Sequence, residues 1–201
     1  LKEGLVEIQD AGSQMIAPQL DPKAGEFIID TCAGAGGKTL HLAALIQNQG
    51  RILATDVSKR KLQELERRAK RAEATCIETR LIDAEMVAQF EGQADKLLID
   101  APCSGLGTLK RQPDLKWRLS QEQLTEVQQT QAELLQSYTR MLKPGGRLVY
   151  ATCSVLPSEN QMQVAPLIQS GDYTLHAEQI LSPAKFHFDG FYTAALIKRP
   201  Q

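Results

Sequence analysis

The sequence predicts a single α/β domain built on a mainly parallel, doubly wound sheet. From Glu26 onward, short apolar runs alternate with stretches of helical spacing. The 201 residues suffice for one well-buried core. Hydrophobic residues at 42% and charged residues at 23% fit a packed globular protein rather than a disordered or fibrous one.

Each element follows from local pattern. Phe27-Ile28-Ile29-Asp30 reads as a buried first strand, and Gly37 to Gln47 as a helix through Leu40, Ala43, Ala44 and Leu45, stopped by Asn48-Gln49-Gly50. Arg51 to Asp56 is the second strand. Ser58 is expected to cap a charged helix reaching about Glu73, with Glu64/Arg68 and Glu66/Lys70 at favourable i,i+4 spacing. Cys76 to Leu81 and Lys96 to Asp100 are the third and fourth strands, the latter with the uninterrupted apolar centre of a strand covered on both faces. Ser120-Gln121-Glu122-Gln123 matches a capping box opening a long helix, whose apolar positions are Leu124, Val127, Leu134, Leu135, Tyr138 and Met141. Lys143-Pro144-Gly145-Gly146 is read as its stop, Arg147 to Thr152 as strand five, Ser158 as the cap of a further helix, and Tyr173 to Ala177 and Phe191 to Lys198 as the last strands. Residues 1–25 form a lead-in segment packed on a domain covering 26–201.

No apolar run approaches the roughly 20 residues of a membrane helix, and no cleavable signal opens the chain, so a cytoplasmic protein without a membrane partner is expected. The chain starts at Leu1 rather than a methionine, which leaves room for an upstream segment. A formal net charge of -1 gives no whole-molecule attraction to nucleic acid, so any such surface must be local. Cys32, Cys76, Cys103 and Cys153 lack the spacing of a zinc site or disulfide scaffold, and free thiols are expected. His41, His176 and His187 share no ligand spacing, and no metal is expected.

Ligands of open parallel sheets bind beyond the carboxyl ends of the strands. After the first strand comes Asp30-Thr31-Cys32-Ala33-Gly34-Ala35-Gly36-Gly37-Lys38-Thr39, a glycine-rich turn leading into a helix N-terminus. A Walker A loop would need glycine at Cys32, and a dinucleotide fingerprint a glycine at Thr39, so both readings are weakened. Asp56, ending the second strand, can accept from both hydroxyls of a ribose, and Asp83, after the third, can reach an adenine amino group. The plainer reading makes the glycines packing residues and both aspartates helix caps.

Asp100-Ala101-Pro102-Cys103-Ser104-Gly105 follows strand four, and Ala151-Thr152-Cys153-Ser154 follows strand five. A lone cysteine would read as a small buried residue. Two at corresponding strand ends, among Ser, Pro and Gly, read as a reactive pair; neighbouring strands would bring them within roughly 5 Å.

These cysteine segments, with Gly36-Gly37-Lys38-Thr39, resemble the motifs of the Sun or RsmB-like family of RNA 5-methylcytosine methyltransferases. The resemblance runs from Glu7-Ile8-Gln9-Asp10-Ala11-Gly12-Ser13-Gln14 to Asp189-Gly190-Phe191-Tyr192-Thr193-Ala194, and includes Leu142-Lys143-Pro144-Gly145-Gly146 and Glu159-Asn160. The family usually has Ala-Pro where this chain has Gly34-Ala35, and bacterial members often carry an upstream RNA-binding domain.

The resemblance implies a Rossmann-like class I methyltransferase fold: seven strands, helices on both faces and one antiparallel strand near the C-terminus. It implies S-adenosylmethionine as cofactor, wrapped by Cys32, Ala33, Gly34, Ala35, Gly36, Gly37 and Lys38, with Asp56 on its ribose, Asp83 on its adenine and Asp100 alongside. Cys153 would add to C6 of cytosine, Cys103 would assist release of the product, Asp100 would bond the base edge and Pro102 would shape the base pocket. RNA is the implied partner, ribosomal RNA ahead of transfer RNA, acted on by a monomer. Lys110 and Arg111, followed by Lys116, Trp117 and Arg118, form a basic loop suited to flanking phosphates, unless it is a solvated turn with Trp117 packed inward. The other readings are a module that binds RNA or cofactor without turnover, against which the retained Cys103, Cys153 and Asp100 argue, and a nicotinamide-dependent oxidoreductase.

Overall fold

The computed structural model describes residues 1–200. Two one-turn helices, α1 (Ala11–Gln14) and α2 (Ile16–Gln19), precede β1 (Phe27–Asp30), α3 (Gly37–Leu45), β2 (Arg51–Asp56), α4 (Lys59–Arg71), β3 (Ile77–Leu81), α5 (Ala84–Gln89) and β4 (Ala94–Asp100). Then come α6 (Leu115–Arg118), α7 (Gln121–Tyr138), β5 (Leu142–Thr152), α8 (Gln161–Gln169), β6 (Tyr173–Leu181), α9 (Pro183–Phe186) and β7 (Phe191–Lys198).

The seven strands make one sheet in the order β3-β2-β1-β4-β5-β7-β6. Pairings among the first five are parallel, and β7 runs antiparallel to both β5 and β6. The chain reverses its winding at β1, where β2 lies on one side and β4 on the other. That switch point opens a crevice beyond Asp30, the usual ligand position in this architecture.

Alternation along the strands supplies both faces with core. Ile29, Leu53, Leu97, Ile99, Leu148 and Tyr150 pack toward α5, α7 and α8. Ile28, Ile52, Leu98 and Val149 point the other way, onto Ile16 and Leu20 of the lead-in segment and Leu42 and Ile46 near α3. The lead-in residues are therefore part of the core rather than an appendage. Among the described residues no helix is long and apolar enough to cross a membrane.

Several local expectations change. The pairs Glu64/Arg68 and Glu66/Lys70 do not form: Glu64 pairs instead with Arg67 on the same helix, while Arg68 and Glu66 take tertiary partners. Arg68 donates to Glu7 at 3.0 Å and to the Ala35 carbonyl at 2.6 Å, while Glu66 accepts from Thr79. Ser58 occupies the cap position of α4 without a side-chain capping bond. Ser158 caps nothing; α8 is preceded by a 3-10 turn and has Asn160 at its N-cap. Lys143-Pro144-Gly145-Gly146 does not stop α7, which ends at Tyr138, but lies inside β5. There Ala94 faces Leu142 while Lys96 faces Arg147, so β5 bulges outward, with Gly145 at a φ of 78°. The capping box forms as expected: Ser120 Oγ accepts from Gln123 N–H, and Gln123 Oε1 accepts from Ser120 N–H.

Candidate active site

Strand register decides which side chains meet. Asp30 pairs with Leu98, so β4 continues two residues past β1, and its last residue, Asp100, pairs with Ala151 of β5. The ladder runs on through Ala101 N–H to the Ala151 carbonyl, carrying Cys103 and Cys153 off two adjacent strand ends together. Their sulfurs lie 3.2 Å apart, half-buried, and all four cysteines are free.

Gly107 locks the first cysteine loop onto the second. Its N–H donates to the Cys153 carbonyl at 2.8 Å, and its own carbonyl accepts from Gly190 N–H at 2.8 Å. A Cβ at Gly107 would lie 2.1 Å from the Gly190 oxygen, so only glycine fits.

The electrostatics of the two thiols diverge. Cys153 is held below the usual thiol range, chiefly by its hydrogen bond with Cys103 and further by the Lys38 ammonium, against burial and the Asp100 carboxylate. Cys103 is pushed well above that range by the same bond, by burial and by the negative charges of Cys153 and Glu159. The two thiols thus differ in proton affinity, Cys153 being the more readily ionised. Lys38 and Asp100 form an ion pair at 2.6 Å on the edge of this cluster. Burial disfavours the Lys38 charge, yet Asp100 holds its pKa above the ordinary lysine value.

Beside the sulfurs, a cavity of about 460 Å³ opens over the ends of β1, β2 and β4. Cys32, Ala33, Gly34, Ala35, Asp56, Asp100 and Pro102 line it, joined by Thr130, Leu134 and Tyr138 from α7. Its size is in the range of small-molecule sites. Asp56 steadies the loop itself, with one oxygen accepting from Gly34 N–H at 3.0 Å and the other from Ser58 N–H at 2.8 Å. Burial raises the Cys32 thiol to about 12, which keeps it neutral. Gly36, at a φ of 90°, brings the loop against α4, where a Cβ would strike Leu65 at 2.5 Å.

Other sequence-selected residues have different surroundings. Asp83 caps α5 by accepting from Met86 N–H at 2.7 Å, and its neighbour Ile82 lines the cavity. Lys110 donates to the His187 carbonyl at 3.1 Å, and Arg111 pairs with buried Asp189, so both bind the Cys103 loop to the loop before β7. Trp117 does not pack inward; it is 81% exposed with the Lys116 ammonium 5.0 Å from its ring. A larger cavity, about 950 Å³, lies between α7, α8, the start of β6 and the end of β7, and shares no lining residue with the first. Among the described residues no group of His, Cys, Asp and Glu could hold a metal ion.

Sequence reasoning left the role of Glu159 unassigned. It is fully buried, and its carboxylate accepts from Ser104 N–H at 2.7 Å, Ser104 Oγ at 2.6 Å, Gln131 Nε2 at 3.1 Å and the Ser154 hydroxyl. An unpaired buried carboxylate is costly. Four hydrogen bonds to a charged group, each worth about 1.5–3 kcal/mol, offset much of that. The signal for Gln131 was its position: Val127, Gln131, Leu135 and Tyr138 share one helical stripe, and a glutamine there needs a buried polar partner.

The comparisons agree with this arrangement. Residues 17–197 match the family described as 16S rRNA methyltransferase RsmB/F. Ribosomal RNA small subunit methyltransferase B of Klebsiella pneumoniae is 40% identical over 207 aligned residues, covering 98% of this chain and 48% of that protein. The chain thus spans about half the length of the curated relatives it matches. The crystal structure of NSun6 from Pyrococcus horikoshii with SFG superposes with a TM-score of 0.91 at 30% identity, over all of this chain and 55% of that one. A methyltransferase homolog protein from Pyrococcus horikoshii gives a TM-score of 0.87 at 30% identity, over 98% of this chain and 69% of that one. Family match, sheet order and the convergence of both cysteine loops coincide in one conclusion: the chain belongs to the 16S rRNA methyltransferase RsmB/F family.

Proposed function

We propose that this domain methylates C5 of a cytosine in small-subunit ribosomal RNA through a transient bond between Cys153 and C6. The observation that carries the reading is the sulfur pair, with its 3.2 Å separation and opposed proton affinities beside a cavity of cofactor size. The choice of ribosomal RNA follows the names of the curated relatives.

The residues present fit S-adenosylmethionine, which supplies an electrophilic methyl group when bound. Asp56, on the wall of the cavity, would hold the ribose, and Cys32 to Ala35, which line it, would surround the ligand with the turn through Gly36 to Lys38 behind them. Asp83 is exposed and outside the lining, and would take the adenine beside Ile82 with the carboxyl oxygen not used in capping. C5 of cytosine is too poor a nucleophile to react unaided. Addition of the Cys153 thiolate to C6 raises the electron density at C5, which then takes the methyl group. Asp100 would bond the N3 and N4 edge of the ring, with Lys38 holding its carboxylate in place. The C5 proton would then pass to a base while its electron pair restores the ring double bond and the Cys153 sulfur leaves C6 as thiolate. Cys103 would be that base, since bonding Cys153 to carbon removes the sulfur partner that favours its protonated form and lets it release its own proton to solvent first. Pro102 would flank the base, while Lys110 and the exposed Trp117 with Lys116 offer charge and a stacking face for the splayed strand; Arg111, its charge met by Asp189, would hold that loop in place.

Trapping with RNA containing 5-fluorocytidine tests this chemistry, because the C5 substituent cannot depart after methylation. Wild type is expected to form a stable covalent adduct and Cys153→Ala none; with ordinary RNA, Cys103→Ala should accumulate adduct. An adduct that survives Cys153→Ala but vanishes in Cys103→Ala would exchange the two roles, and no adduct with wild type would end the proposal.

A further inference from the structure

We propose that Glu159 is a positioning residue for the sulfur pair: its carboxylate ties the backbone after Cys103 to the backbone after Cys153 and orders the sulfurs with Cys103 as hydrogen donor and Cys153 as acceptor. The catalytic consequence rests on the function proposed above, whereas the geometry stands without it.

Both serines that follow the cysteines donate their hydroxyl protons to Glu159. Each hydroxyl oxygen then accepts from the N–H two residues on, Leu106 at 3.4 Å and Leu156 at 3.2 Å. The carboxyl group accepts on both oxygens, one from Ser104 N–H and Gln131 Nε2 and the other from the two serine hydroxyls, which themselves lie 3.3 Å apart. Gln131 Nε2 bridges Glu159 to the Pro102 carbonyl at 2.9 Å, so α7 is fastened to the residue before Cys103. Glu159 is held in turn by its own carbonyl, which accepts from Tyr150 OH at 2.8 Å, and by Asn160, which bonds Thr152 and the Ser154 carbonyl. The 3.2 Å gap between sulfurs is therefore set by a closed network rather than by two independent loops.

The charges around the pair are uneven. Asp100 from β4 and Lys38 from α3 act on Cys153 and largely neutralise each other as an ion pair. Glu159 acts on Cys103, and its hydrogen-bonding partners are all uncharged. Its field adds to the hydrogen bond with Cys153 and the burial that disfavour a thiolate at Cys103, which leaves Cys153 as the reactive sulfur.

Glu159→Gln preserves size and removes the charge. Wild-type and variant chains are alkylated with iodoacetamide between about pH 6 and 10, bracketing ordinary thiol titration, with each cysteine read separately by peptide mass spectrometry. Wild type should react first at Cys153, and E159Q should lose about tenfold of that preference, the size of one charge-assisted hydrogen bond. Turnover should fall in kcat while KM for RNA and cofactor stays constant. Ser154→Ala removes one bond only, should move the preference the same way by less, and replaces E159Q if circular dichroism shows that variant unfolded. Unchanged preference in folded E159Q, or in S154A where E159Q does not fold, overturns the proposal. If wild type traps no 5-fluorocytidine adduct yet E159Q still loses selectivity, the functional reading fails and this one stands.

Discussion

Asp30 illustrates what a single side chain contributes at the end of β1. It is fully buried; one carboxyl oxygen accepts from the Thr39 hydroxyl at 2.7 Å and the other has no partner. Burial raises its pKa from 3.8 to about 7, with Asp100 and Asp56 adding to the rise and Thr39 and Lys38 opposing it. Between those values the folded protein retains a proton that the unfolded chain has released, so this group makes stability fall as pH rises through the window. Asp30→Asn keeps an acceptor for Thr39 and abolishes the titration. Thermal denaturation from about pH 4 to 8 should show a declining wild-type stability relative to D30N, and a constant difference would refute the assignment. Nothing in the sequence reveals that Asp30 is stranded, because its surroundings come from three strands and a helix. The cysteines were legible for the opposite reason: their strand-end positions follow from local apolar runs, and parallel register does the rest. Glu159 was hidden because its partners lie as far as 55 residues away.

At the scale of elements, α7 links local sequence to the site most directly. Its capping box was readable from Ser120 and Gln123, and its apolar stripe from the 3.6-residue period, yet the stripe also delivers Thr130, Leu134 and Tyr138 to the cavity and Gln131 to Glu159. Ser120→Ala removes the acceptor for Gln123 N–H and should cost about 1 kcal/mol. For a chain of this size that corresponds to roughly 2–4 °C in Tm. The loss should appear in calorimetric melting, and a Tm unchanged within error would mean that the cap contributes nothing to the folded state. Helix α4 shows where element-level reading stops. Spacing correctly marked its charged face, but Arg68 and Arg71 reach Glu7 of the lead-in segment instead of their helical neighbours, because a partly buried fork outbids an exposed i,i+4 pair. The bulge at Lys143 to Gly146 was misread for a related reason: Pro and Gly mark a break in pattern without saying whether a helix ends or a strand bends.

For the molecule as a whole, sheet order turns distant motifs into one site: β1 and β2 supply the glycine loop and Asp56, the end of β4 supplies Asp100 and the loop with Cys103, the residue after β5 is Cys153, and Gly190 just before β7 closes the Cys103 loop. Because the cavity walls come from elements that separate on unfolding, a ligand bound there stabilises the entire fold. At a concentration of 100 Kd, S-adenosylmethionine should contribute about 2.7 kcal/mol, or roughly 5–10 °C in Tm. Asp56→Ala should lower the unliganded Tm, since it loses the bonds from Gly34 and Ser58. The cofactor contact is therefore read from the ligand-induced increment, which should shrink toward zero in D56A at the same ligand concentration. A wild-type increment of zero at millimolar S-adenosylmethionine would remove the cofactor assignment for this cavity. An increment retained in full by D56A would leave the cofactor in place and strip Asp56 of its ribose role.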